Sequence, residues 1–180
     1  MHLRAKEESG FGLLELVIAM VMLNVAILAL VSAFSSSSIA LVRASRIATA
    51  TTLAHSQMEI YRGAKYADIV FVTSEWNAAK TDSAYTSDTV YSSYMESPPA
   101  PKRLVTDITT CPTGVPTNGC DPSFTATGAD HLSYRVDSYL YYDTPTNGSE
   151  LKTVTVVVRD PTSLKSYARF TSTFDPSTGT

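Results

Sequence analysis

Gly10-Phe11-Gly12-Leu13-Leu14-Glu15-Leu16-Val17-Ile18-Ala19-Met20 opens an apolar run that continues to Phe34. Wound as a helix, such a run is long enough to cross a hydrocarbon core of about 30 Å. Glu15 is its single charge. A charge at the centre of a membrane helix costs about 2.5–3.5 kcal/mol, and less near the edge, so Glu15 calls for a partner or a purpose. Ahead of the run lies a short polar leader, Met1 to Gly10, carrying Arg4 and Lys6.

A small residue, Phe11, three residues, Glu15 and then an apolar helix, behind a leader with basic residues, resembles the prepilin family. That family comprises type IV pilins, their minor pilins and the pseudopilins of type II secretion. The resemblance covers about the first quarter of the chain. It implies that a membrane-embedded prepilin peptidase cuts between Gly10 and Phe11 on the cytoplasmic side and methylates the new amine of Phe11. It implies equally that Glu15 is the assembly carboxylate, facing the mature amine of a neighbouring copy, so that each charge offsets the burial of the other. The chain departs from the family pattern in three ways. Glu7 and Glu8 dilute the basic leader, Gly12 stands where a hydroxyl residue is commoner, and no proline interrupts the helix.

Two other readings of the same stretch stay open. An ordinary secretory signal fits Arg4 and Lys6 as its basic region and the small residues of Val31-Ser32-Ala33 as its cleavage site. Against it, the apolar run is longer than the usual 7–15 residues and holds a carboxylate. A plain single-pass anchor is the second.

At 180 residues the chain supports one modest domain beyond the helix, built from about 115 residues. A net charge of −3 and a pI of about 5.5 argue against a nucleic-acid partner, and Lys102-Arg103 reads as a solvated pair. Abundant Ser, Thr and Tyr suit an exported protein. Cys111 and Cys120 flank a turn-forming stretch, Pro112 to Gly119, so their ends can meet. Outside the cytoplasm they are expected to form a disulfide, worth about 2–3 kcal/mol in the loop-closure picture. No Cys-x-x-Cys pair or nearby His favours a metal site instead.

Taken in order, residues 1–10 are the leader and 11–34 the membrane span. The basic leader keeps the N-terminus cytoplasmic and sends the bulk of the chain outward. Asn24 and Ser32 are the polar residues within the span; Asn24 either bridges helices or bonds to its own. Residues 35–62 continue the helix, since no proline or glycine occurs before Gly63. Ile47, Ala50, Ala54, Met58 and Tyr61 recur every three or four residues and form one apolar face. Arg43, Arg46, Gln57 and Glu59 fall away from it, and His55 reads as a surface or partly packed residue rather than a ligand. A helix from Phe11 to Arg62 would be about 75 Å long. Gly63 is the expected C-terminal cap.

Residues 63–130 read as a variable loop region holding the cysteine pair and shaping the exposed, partner-facing surface. Tyr66 to Thr73 suits a short strand or turn, Trp76 suits a core anchor, and Ser97-Pro-Pro-Ala-Pro101 breaks regular structure. From 131 to 180 an antiparallel meander is expected, with strands at Leu132–Tyr142, Leu151–Arg159 and Leu164–Phe174. Its half-buried period sets Leu132, Tyr134 and Val136 against Ser133, Arg135 and Asp137. Asn147-Gly148-Ser149 matches a glycosylation sequon but reads first as a turn. The whole is α+β and pilin-like: a long N-terminal helix, membrane-spanning and then amphipathic, packed on a small antiparallel sheet.

No nucleotide-binding loop, zinc signature, nucleophile elbow or Cys–His pair occurs, and His2, His55 and His131 are scattered. Asp121, Asp130, Asp137, Asp143, Asp160 and Asp175 sit mostly beside turns, where carboxylates are solvated, so no calcium site is expected. No enzyme, cofactor or metal is expected. The expected function is structural: a minor pilin or pseudopilin of a type IV pilus-like or type II secretion-like filament. Its expected partners are the prepilin peptidase/methyltransferase, other pilins or pseudopilins along the helix, membrane lipid before assembly, and the inner-membrane assembly platform. It would be stored in the cytoplasmic membrane with its head outside, then move to a periplasmic or extracellular filament. The competing class is a secreted or membrane-anchored adhesin-like binding module.

Overall fold

The computed structural model describes residues 12–96, 108–143 and 150–177. The chain divides into two compact units, Met1–Ala44 and Ser45–Thr180. Helix α1, Leu13–Gly63, contributes to both. Within the first unit its described residues are exposed throughout. The second unit is an α+β domain in which the C-terminal part of α1 packs on a small antiparallel sheet.

Among the described residues the sheet has four strands, β1 (Ser123–Thr127), β2 (Ser133–Asp143), β3 (Leu151–Arg159) and β4 (Ser166–Phe174), in the order β1-β2-β3-β4. Three of them match the expected meander. β1 is a correction: Ser123-Phe-Thr-Ala-Thr127 lies in the stretch read as loop and pairs with β2, Phe124 opposite Val136. Five residues give too short an alternation to stand out in a Thr-rich context, and the pairing partner supplies what propensity does not. Two strand starts also differ: β4 begins at Ser166 rather than Leu164, which turns at φ 57°, and β2 begins after Leu132. Leu132 is 41 % exposed and follows His131, which turns the chain at φ 60°.

Antiparallel partners share a face. Val136, Val158 and Ala168 align across the sheet, as do Ser138, Val156 and Phe170. This face receives α1. Ala50, Ala54, Met58 and Tyr61 are buried there, as the period predicts, and the His55 ring lies 4.2 Å from the Phe170 ring. Two positions of α1 differ from expectation: Ile47 is 39 % exposed, whereas Gln57 is buried. Gln57 escapes the hydrophobic pattern because its amide is bonded, donating to Asn118 O at 2.7 Å.

The opposite face was expected to meet solvent and does not. Residues Lys152 to Arg159 are buried on both sides of β3. The cover comes from the stretch read as irregular: α2 (Thr73–Ala79), α3 (Ser83–Thr86) and a π-turn at Tyr91–Glu96. Asp82 starts α3, its carboxylate accepting from the Ala84 N–H at 2.8 Å. Tyr85 stacks on Tyr139 at 4.5 Å and Tyr94 on Tyr141 at 4.6 Å, pairs worth about 0.5–1.5 kcal/mol each beyond their buried area. Trp76 is buried between Phe71, Tyr85 and Tyr91, the core anchor expected of it. The link from α1 is neither strand nor simple turn. A 3-10 turn, Tyr66–Asp68, leads into the buried extended run Ile69–Val72. α1 ends at Gly63 as expected, without the left-handed φ of a glycine cap.

Candidate functional site: the exposed apolar helix and its carboxylate

From Gly12 to Val42 the helix carries one charge, Glu15, in its first turn. The backbone N–H groups of Glu15 and Leu16 both donate to Gly12 O, at 2.9 and 3.2 Å, so the helix is wound from its first described residue. Large apolar side chains cover all sides: Leu13 is 82 % exposed, Leu28 68 % and Phe34 73 %. A helix apolar all round belongs in lipid or among other helices. This helix is long and apolar enough to cross a membrane.

Four of its polar side chains bond to their own backbone. Asn24 Nδ2 donates to Met20 O at 2.9 Å, settling that residue as locally bonded. Ser32, Ser37 and Ser38 donate to carbonyls three or four residues back at 2.9–3.1 Å. Each of these hydroxyls thus satisfies itself on its own helix. An ionised carboxylate has no donor to offer a backbone carbonyl, so Glu15 cannot satisfy itself in this way. Among the described residues Glu15 makes no ion pair. A helical period also places Glu15 on the side of Gly12, Ala19 and Ala26.

Gly10 and Phe11, the expected processing pair, lie outside the described residues. So do Lys102-Arg103, the Pro-rich stretch 97–101, and the Asn147 sequon. Cys111 and Cys120 form the expected disulfide, with Cα atoms 5.7 Å apart. His55 is on α1 and His131 in a turn. Among the described residues no three of His, Cys, Asp and Glu converge in a metal-holding group.

Behind the sheet lies an arrangement the sequence reading missed. Of Arg135 and Asp137, read as a solvent-facing pair, Arg135 is half-buried and Asp137 fully buried, and Asp137 sits mid-strand rather than beside a turn. Six charges alternate in sign. Arg135 bridges Asp82 at 2.6 Å and Asp137 at 2.8 Å. Arg159 bridges Asp137 at 2.9 Å and Asp88 at 2.8 Å, and Arg169 closes the series on Asp88 at 2.7 Å. The Arg159 Nε contact with Asp137 Oδ2 is ionic, without the alignment of a directed hydrogen bond. Ser123 Oγ adds a hydrogen bond to Asp137 at 2.6 Å.

Three carboxylates face three guanidiniums, so the ladder is neutral. Burial pushes the Asp82 and Asp88 carboxyls up, but the bonds from Arg135 and Arg169 outweigh it and hold both below the usual range. At Asp137 burial prevails, and its carboxyl is raised despite Ser123, Arg159 and Arg135. Every member is already paired within the domain. The ladder therefore ties α3 and the Asp88 turn to the sheet. One signal for it was present in the sequence. The near-continuous run Val154-Thr-Val-Val-Val158 suits a strand covered on both faces, and such a strand turns its neighbours' charges inward.

Comparison with protein-family models, with curated proteins and with solved structures finds no match to this chain.

Proposed function

We propose that this chain is a structural subunit, a minor pilin or pseudopilin, of a type IV pilus-like or type II secretion-like filament. The observation that carries the reading is the exposed apolar helix with its single carboxylate in the first turn. Lipid accounts for the apolar surface alone. The helix dipole favours a carboxylate in the first turn, and a partner presenting a cation would offset its burial further; the mature amine of a second copy is such a cation. Prepilin peptidase would free that amine by cutting between Gly10 and Phe11 and methylating it. Subunits would then leave the membrane by packing α1 against the helices of neighbours on the assembly platform. The α+β domain serves as the displayed head, and the role is non-enzymatic.

Mass spectrometry of the N-terminus of protein recovered from cells tests this reading. N-methyl-Phe11 is expected. Intact Met1, or a start at Phe34, would instead establish an anchor or an ordinary secreted module.

A further inference from the structure

The disulfide closes a ring of ten residues, Cys111 to Cys120, and the last three make tight contacts with the rest of the domain. Asn118 and the buried Gln57 of α1 bond in both directions. Gln57 Nε2 donates to Asn118 O at 2.7 Å, and Asn118 Nδ2 donates to Gln57 Oε1 at 3.3 Å. Gly119 lies so close to α1 that a Cβ there would sit 2.7 Å from Ile60 Cγ2. Cys120 is buried, and its carbonyl accepts the Val72 N–H at 3.0 Å, one residue before α2. The ring therefore holds the last turns of α1 on one side and the start of α2 on the other. Its conformation depends on short internal bonds, Val115 N–H to Pro112 O at 3.1 Å and Gly119 N–H to Pro116 O at 2.8 Å, and on Gly114 at φ +93°. Such a turn-built loop has few apolar contacts of its own to keep it in place once opened.

We infer that the Cys111–Cys120 ring is a redox-operated latch that docks the C-terminal turns of α1 and the Ile69–Thr73 link when closed and releases them when reduced. A dithiol reductant breaks the Sγ–Sγ bond, delivers two electrons and two protons to the cysteines, and leaves as its own cyclic disulfide. The chain would accordingly be loose at this corner in a reducing compartment; in an oxidising one a disulfide oxidant takes the two electrons and two protons, leaves as its own dithiol, and the Sγ–Sγ bond re-forms. The latch is independent of the filament reading and stands or falls without it.

Linkage supplies the first arm of a test, and hydrogen exchange the arm that separates a local latch from a structural bridge. If closing the ring favours docking, docking must favour closing the ring by the same factor. The full chain in detergent micelles is equilibrated with dithiothreitol, and the reduced fraction is measured by thiol alkylation and mass spectrometry. Gln57→Leu, which removes both bonds to Asn118, is expected to make the disulfide about three- to tenfold easier to reduce. Asn118→Ala should act in the same direction, whereas Ser163→Ala, distant from the ring, should not. Hydrogen exchange completes the test. Reduction of the unsubstituted chain is expected to speed exchange across Gln57–Tyr61 and at Val72, while β3 amides stay protected. An unmoved redox equilibrium in Gln57→Leu overturns the latch. So does exchange that is unchanged on reduction, or that rises equally in β3, which would make the bridge a global staple.

Discussion

Arg159 Nη2 donates to Asp88 Oδ2 across 2.8 Å with both side chains only 5 % exposed, and the same carboxylate receives Arg169. The two bonds join β3 and β4 to the turn that leads into the π-turn cover. Removing one partner of a buried pair leaves the other desolvated and unpaired. Asp88→Ala should therefore destabilise the domain by about 3–5 kcal/mol. Asp88→Ala with Arg159→Met should recover part of that loss, because no buried guanidinium is then left without an anion. Urea unfolding followed by fluorescence of Trp76, the chain's single tryptophan, measures both.

Lys152 gives the domain a pH dependence of unusual sign. Its side chain is buried, its Nζ donates to Tyr66 O at 2.6 Å and Ile69 O at 3.0 Å, and it lies 4.5 Å from the centre of the Tyr66 ring. Burial lowers its pKa to about 8, against an ordinary value of about 10.4 in the unfolded chain. Between those values the unfolded chain binds more protons, so stability rises with pH from about 8 to about 10. Above about 10 the buried tyrosines reverse the slope. Tyr61, pushed up to about 12 by burial, keeps its proton when the unfolded chain has lost it. Urea unfolding at pH 7.5 and pH 9.5 should show the rise, and Lys152→Met should abolish it.

Gly119 tests the close approach of the disulfide ring to α1. An added Cβ would meet Ile60 Cγ2 at 2.7 Å and Val115 Cγ1 at 2.8 Å, and both are stiff branched side chains. Gly119→Ala should cost about 1–3 kcal/mol by overpacking, read as a lower urea midpoint with an unchanged slope.

What the sequence made legible was what a single period encodes. Ala50, Ala54, Met58 and Tyr61 share one helix face because helical spacing decides it, and β2, β3 and β4 follow from alternation between turns. Ser74 to Tyr94 was opaque for the opposite reason. Its helices are one or two turns long, too short to show a period, and they form because Trp76, Tyr85 and Tyr91 find a common cluster in the fold. Arg135 and Asp137 misled because alternating strands usually turn their charges to water, whereas their cover comes from Asp82 and Asp88, far earlier in the chain, and only the valine run of β3 hints at it. Gln57 misled in the same way, since its partner Asn118 lies 61 residues on.

Glu15 carries the last prediction. In the membrane its carboxylate costs free energy that leucine or alanine would not, so selection for a plain anchor would favour its loss. Glu15→Ala should insert into the bilayer at least as well as the unsubstituted chain. The change lies in the first unit, so urea unfolding of the second, reported by Trp76, should not move. Under the proposed function, cleavage after Gly10 should also proceed, because the peptidase would act on the leader side of Phe11. Filament incorporation should fall about tenfold or more, the effect of losing about 1.4 kcal/mol per subunit contact. Glu15→Asp, which keeps the charge on a shorter arm, should restore part of it. Quantitative immunoblotting of sheared filaments against the membrane fraction gives the ratio, and an unchanged ratio in Glu15→Ala removes the carboxylate from assembly.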